Sequence, residues 1–205
     1  MNAPPPPSDG TLPSAGDELL KARRTSPWNT REKLGRALWY LAEATLFRFS
    51  PRPLYRWRNW LLRRFGARVH PSARIRPTVT VEVPWHLTVG PEAIVGDHVI
   101  LYCLGEVSIG ARAVVSQYAH LCSGSYDYTT RTMTLVTRPI IIEDDAWIAA
   151  DVFVGPGVTV GRDSVVGARS TVLHSLPPGM ICAGDNARPM APRIVRWPPP
   201  RPITS

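Results

Sequence analysis

Lysine is nearly missing from this chain: of 24 basic residues all are arginine except Lys21 and Lys33. Cysteine is scarce too. Cys103, Cys122 and Cys182 are odd in number and show neither CxxC nor Cys/His ligand spacing, which argues against a zinc site or a disulfide framework and makes a reducing cytoplasm the expected compartment. No run of about 18 apolar residues is available to span a bilayer. The stretch "MNAPPPPSDGTLPSAGDELLK" also lacks the apolar core of a signal peptide. The expectation is a soluble cytoplasmic protein, or a peripheral one at the inner face of the membrane.

What is present fits one domain with appendages: 205 residues, 44% hydrophobic, enough for one sizeable core. A formal charge of +8 suits anionic partners such as phosphates, nucleic acid or acidic lipid. Nucleic acid is not expected, because the arginines form no stripe with stacking aromatics and no nucleic-acid motif appears.

Residues 1–25 are rich in Pro, Ser and Gly, so burial cannot offset the entropy of ordering them, and a disordered tail is predicted. Residues 26–68 read as a helical region. In "SPWNTREKLGRALWYLAEATLFRF", Asn29 and Glu32 form a capping-box pattern, and Leu34, Leu38, Leu41 and Leu46 keep helical spacing. A second helix spans Pro53 to Phe65, with Leu54, Trp57, Leu61 and Phe65 in phase and Gly66 as its C-terminal cap. Two readings of that helix stand open. Arg52, Arg56, Arg58, Arg63, Arg64 and Arg68 interleave with Trp57 and Trp60, which suits an anionic membrane surface, or the apolar stripe packs on its own domain and the arginines face water.

From Val69 the chain counts in sixes: "VHPSAR / IRPTVT / VEVPWH", "VGPEAI / VGDHVI", and later "IAADVF / VGPGVT / VGRDSV / VGARST". Each unit opens with an aliphatic residue, usually followed by a small one. A period of six is neither the 3.6 of a helix nor the two of an ordinary strand; it calls for a short strand and a turn repeated around a triangular prism. The fold class expected is all-β, a parallel β-helix over 69–193 followed by a tail, 194–205. Two-residue slips, as between Leu101 and Ile109, are absorbed at a corner. Residues Asp127 to Ile140 fit no face and must leave the prism as a loop, and a loop extruded from a rigid repeat is more often functional than accidental.

With the sixes, the break "SGSYDY", "AWIAADVFVGPGVTVG" and "VVGARSTV" in view, the chain resembles the left-handed β-helix acyltransferases. It is most similar to O-acetyltransferases of exopolysaccharide biosynthesis, of the colanic-acid type, and more distantly to maltose and galactoside acetyltransferases. The resemblance runs from about Ser26 to Arg193. It implies a homotrimer with active sites between neighbouring prisms, acetyl-CoA as co-substrate, no metal, and a saccharide hydroxyl as acceptor.

The resemblance also assigns residues. Trp147 falls where the family lines the acetyl-CoA channel; a corner Trp packed by the loop is the plainer account. Backbone around Ala149, Ala150, Gly167 and Ala168 lines the same slot, where small residues let a thin arm approach. Arg188 takes the basic position expected to meet CoA phosphates, His174 replaces a Lys or Arg, and Arg169 and Arg193 supply further guanidinium groups.

One departure matters. Where the family reads "TGSHDY", with His as general base, this chain has Tyr126. Imidazole titrates near ~6.5 and a phenol near ~10, so Tyr126 cannot simply inherit the role. Three readings follow. His120, one hexapeptide earlier, or Asp127 next door supplies the base; a nearby Arg131 or Arg138 activates Tyr126; or the chain is a catalytically impaired homologue that acts as a CoA-binding or structural subunit. His120 taken alone also reads as a polar corner residue. The other histidines, His70, His86, His98 and His174, show no metal or triad spacing.

Overall fold

A computed structural model describes residues 28–195. The tail expected over 1–25 lies outside the described residues, as does all but the start of the tail expected from 194. Two helices lead into a left-handed parallel β-helix of five coils and part of a sixth.

Helix α1 (Thr30–Ala42) begins with the capping box read from the sequence: Glu32 N–H donates to Asn29 Oδ1 and Asn29 N–H to Glu32 Oε2, each at 2.9 Å. It runs into a π-helical turn, Glu43–Phe47, and helix α2 follows (Tyr55–Arg64). Gly66 takes φ +90°, Ala67 N–H reaches Leu62 O and Gly66 N–H reaches Arg63 O, a left-handed cap that glycine adopts without a Cβ penalty.

The side these helices bury is not the one their spacing suggested. Trp39, Ala42 and Phe47 enter the core, Trp39 Nε1 donates to Val81 O, and the Leu34, Leu38, Leu41 and Leu46 stripe faces outward. On α2, Leu61 and Leu62 are buried but Trp57, and Leu54 just before the helix, are exposed. Arg58, expected among the surface arginines, is fully buried, and its guanidinium donates to the carbonyls of Ile75, Pro51 and Arg52 and to Ser50 Oγ. Each of its three nitrogens is aimed at an oxygen, which is what makes a buried cation tolerable.

The prism has three faces. Face A stacks β1 (Arg68–Val69), β4 (Leu87–Val89), β7 (Val107–Ile109), β12 (Ile140–Ile142) and β15 (Thr159–Val160). Face B stacks β2 (Arg74–Ile75), β5 (Ile94–Val95), β8 (Val114–Val115), β13 (Trp147–Ile148), β16 (Val165–Val166) and β18 (Met180–Ala183). Face C stacks β3 (Thr80–Val81), β6 (Ile100–Tyr102), β9 (His120–Cys122), β14 (Phe153–Val154) and β17 (Thr171–Val172). The leading aliphatics point inward in columns: Ile75, Val95, Val115, Ile148 and Val166 on face B, and Val81, Leu101, Leu121, Val154 and Val172 on face C, all fully buried.

The three edges differ. On the A–B edge Glu92, Arg112, Asp145 and Asp163 take positive φ, and on the B–C edge His98, Tyr118, Asp151, Arg169 and Asn186 do the same. Such a conformation costs a non-glycine residue ~1 kcal/mol or more. The ladder between coils offsets it: Arg112 N–H donates to Pro91 O, Tyr118 to Asp97 O, Asp151 to Gln117 O and Arg169 to Ala150 O, at 2.8–3.0 Å. The C–A edge has no such rule. Both two-residue slips fall on it, one as the 3-10 turn Pro84–His86 and the other between Leu101 and Ile109. The long break falls there as well.

That break is more ordered than a loop. Strands β10 (Gly124–Tyr126) and β11 (Leu135–Thr137) pair antiparallel, Tyr126 opposite Leu135, so the excursion is a hairpin whose tip alone is irregular. At the other end β19 (Arg188–Pro192) turns back antiparallel on β18 and closes face B. Hexapeptide counting does not anticipate that strand.

Candidate active site

Face B carries the first half of the site. Outward-pointing residues alternate with the core column, and Ile94, Val114, Trp147, Val165 and Ile181 form an apolar file up the face. Trp147 is 45% exposed, and its indole Nε1 donates to Ser116 Oγ at 2.9 Å. Ser116 was not anticipated; only the register Val114↔Trp147, which places Ser116 one step further on the coil below, points to it.

Beside Trp147, the B–C edge is built from small residues on successive coils. Ala149 and Ala150 lie on one coil, Gly167 and Ala168 on the next, where a Cβ on Gly167 would come 3.0 Å from Ala183 Cβ on the third. The result is a smooth strip that a thin chain can follow. Cations stand at its upper end: Arg169, a corner residue held loosely by Asp151 at 3.5 Å, and Arg188, opposite Ala183 at the start of β19.

His174 and Arg193 do not join them. His174 lies exposed on the C–A edge after β17. Arg193 lies on the A–B side of Trp147, where its Nη1 donates to the carbonyls of Asp145 and Asp163. With Arg112, which bonds both carboxylate oxygens of Asp145, it walls a cavity of about 360 Å³ against Trp147. The Arg112 guanidinium holds the Asp145 carboxyl below the usual carboxylate range.

The C–A edge carries the second half. Tyr126 stands on the hairpin, 56% exposed. Asp127 caps its own turn, accepting from Thr129 N–H at 3.0 Å and from the Thr129 hydroxyl at 2.5 Å, and these bonds lower its pKa. A carboxylate so held is a poor proton acceptor. His120, at the hairpin's root, lies edge-on to Phe153 (5.4 Å) and Tyr102 (6.3 Å); its Nε2 is sealed from solvent with no hydrogen-bond partner, and burial pushes its pKa down. Tyr102 is the second residue that sequence reasoning passed over. Its phenol pKa is pushed up by burial first, then by Glu82, Tyr126 and Cys122. Arg138, one of the two proposed activators of Tyr126, runs instead over Gly157, where a Cβ would meet its Cδ at 3.2 Å.

In a triangular prism the C–A edge is opposite face B. Tyr126 and Asp127 therefore stand away from Trp147 on face B, and the whole of face C separates their edge from the small-residue strip on the B–C edge. The two halves thus lie on different parts of the prism surface. Among the described residues no group of three or more His, Cys, Asp and Glu is placed to hold a metal ion.

The description of the bacterial transferase hexapeptide (six repeats) family matches residues 139–174. The chain is 49% identical over 157 residues to the "Putative colanic acid biosynthesis acetyltransferase WcaF" of Escherichia coli (strain K12), an overlap covering 77% of this chain and 86% of that one. Among solved structures, the hexapeptide-repeat-containing acetyltransferase VCA0836 of Vibrio cholerae O1 biovar eltor, complexed with acetyl coenzyme A, superposes with a TM-score of 0.74 at 23% identity, covering 87% and 97% of the two chains. A maltose O-acetyltransferase from Clostridium difficile 630 gives 0.72 at 20% identity, covering 82% and 90%. At these identities the two structures establish the shared fold.

Proposed function

Because this chain belongs to the bacterial hexapeptide-repeat acetyltransferases, we propose that it transfers acetyl from acetyl-CoA to a saccharide hydroxyl, at sites shared between neighbouring copies of a homotrimer. The observation that carries the reading is the strip beside Trp147. Its alanines and glycine leave room for a pantetheine arm, Trp147 offers a flat apolar wall, and Arg169 and Arg188 stand where phosphates would end. The name of the WcaF relative, given for colanic acid biosynthesis, supports a saccharide as acceptor.

The separation of the two halves supports the trimer. A neighbour that seats its C–A edge on face B covers the file of Ile94, Val114, Val165 and Ile181 and brings its Tyr126 to this chain's Trp147. Three such heterologous contacts close a ring. His174, on the same edge as the hairpin, then approaches the slot from the neighbour's side.

In the reaction the acceptor oxygen attacks the thioester carbonyl, the C–S bond breaks, and the hydroxyl proton ends on the CoA sulfur. Tyr126 donates a hydrogen bond and orients acceptor or thioester; it does not take the proton. Asp127 is committed to its turn, and His120 Nε2 is sealed against an approaching hydroxyl. Transfer therefore runs with positioning intact and little base assistance.

The test is release of free CoA thiol by the full chain with acetyl-CoA and a panel of saccharides, with the product identified by its added acetyl mass. Saccharide-dependent release is expected, and Tyr126→His should raise it at least about tenfold, within the range a general base contributes. If neither protein transfers acetyl while both still bind acetyl-CoA, the protein is a CoA-binding subunit and the proposal fails. If wild type turns over at the ~10 s⁻¹ ordinary for enzymes and Tyr126→His abolishes it, Tyr126 or a partner such as His120 is the working catalyst.

A further inference from the structure

The charge of the described residues is strongly divided. Residues 28–68 hold ten Arg and Lys against two carboxylates, Glu32 and Glu43, whereas residues 69–195 hold nine arginines against eleven Asp and Glu. Of the two helical carboxylates, Glu32 is bound into the cap of α1 and Glu43 is buried against Val81 N–H. The outer surface of the helical unit is thus almost purely cationic, with Arg31, Lys33, Arg48, Arg52, Arg56, Arg63, Arg64 and Arg68 all exposed.

The same surface is apolar between those charges. Leu34, Leu38 and Leu41 point out along α1, and Phe49, 81% exposed, follows after the π turn. Leu46, Phe49, Leu54 and Trp57 border one shallow groove of about 330 Å³. Trp57 donates its indole N–H to Leu46 O and stacks on Trp60 with ring centres 5.1 Å apart, so the two indoles stand as one amphipathic block at the end of the ridge. Eight large apolar side chains, each more than a third exposed, gather on one element pair. Single exposed leucines need no explanation, but a contiguous ridge does.

We propose that this ridge docks the protein on an anionic lipid bilayer. Leucine and phenylalanine enter the acyl boundary, the two tryptophans sit at headgroup level, and the flanking arginines meet lipid phosphates. The occupant is chosen by charge. A second copy would bring another cationic surface against this one, and the apolar file on face B already offers copies a place to meet. No described helix is long and apolar enough to cross a membrane, so the contact is one that lies on the surface.

The test is sedimentation of the full chain with vesicles of phosphatidylcholine alone or with about a quarter phosphatidylglycerol, at low and high salt. Retention is expected on the anionic vesicles at low salt, at least tenfold weaker on phosphatidylcholine alone, and weakened by salt. Leu41→Ser with Phe49→Ser should lower retention at least tenfold. Arg52→Gln with Arg56→Gln should cost about fivefold for each arginine. None of the four touches the strip or the hairpin, so acetyl transfer to a soluble saccharide should stay unchanged. Three results overturn the proposal: wild type not retained at low salt, retention indifferent to the leucine and phenylalanine changes, or a smaller assembly mass in that variant, which would make the ridge an interface between copies. Wild-type retention decides the matter alone if a variant fails to fold.

Discussion

Replacing Trp147 by alanine should weaken acetyl-CoA binding by between about tenfold and a hundredfold, a range fixed by how much of the indole is free to be covered. A tryptophan offers up to ~250 Å², and 45% of this one is exposed. That leaves ~110 Å² for a ligand, worth ~2.7 kcal/mol at 25 cal/mol per Å² if the arm covers all of it and about half that if it covers one side. Each 1.4 kcal/mol is about tenfold in affinity. The assay is calorimetric titration of the full chain with CoA and acetyl-CoA, beside a thermal melt. Trp147→Phe is the control: it keeps most of the wall and loses only the bond to Ser116, so a drop of about fivefold or less is expected. Binding of Trp147→Ala within twofold of wild type, with an unchanged melt, would refute the slot. The arm would then run elsewhere.

Two further predictions concern the scaffold. At Gly161 an added Cβ would stand 2.5 Å from Pro178 N and 2.7 Å from Pro178 Cα, so backbone must move; Gly161→Ala should cost ~1–3 kcal/mol and lower the melting temperature by several degrees, and an unchanged melt would show the last coil to be loose. Burial raises the pKa of Glu43 above its ordinary 4.5, while Val81 N–H pulls the other way. Between those two values the folded chain binds more protons than the unfolded one, so this group's contribution is fully present below 4.5 and is lost as pH rises through the folded pKa. Glu43→Gln keeps an oxygen for Val81 and should flatten that decline; identical stability-against-pH curves for the two proteins would show that Glu43 is not the cause.

The prism was legible because its rule is local and repeated. An aliphatic every sixth residue, with a small one after it, reports an inward column and a corner without any knowledge of what stacks above, and the capping box at Asn29 and Glu32 is read within one turn. Trp147 and the small residues of the strip were named by the family resemblance and not by the period, and register sets them side by side on face B and its B–C edge. The helices were harder. Spacing shows that Leu34, Leu38 and Leu41 share a side, but only the partner decides which side is buried, and here the partner chose Trp39, whose indole finds Val81 O. Arg58 was misread for the same reason, since a buried guanidinium depends on four distant oxygens. The hairpin looked like a loop because Gly124–Tyr126 and Leu135–Thr137 carry mixed polar residues and lean on each other more than on the core.

In the proposed trimer, the placing of hairpin and strip on different subunits also has a genetic meaning. A subunit spoiled at Tyr126 still offers a sound strip, and a subunit spoiled at Trp147 still offers a sound hairpin. Mixed at random in a ring, two such defective polypeptides would rebuild about one site in four, because each site draws one half from each of two neighbours. Two alleles, each inactive alone, would then complement one another within the same gene. Conversely, a polypeptide damaged in both halves would poison the rings it enters, silencing both of the sites it touches out of the ring's three.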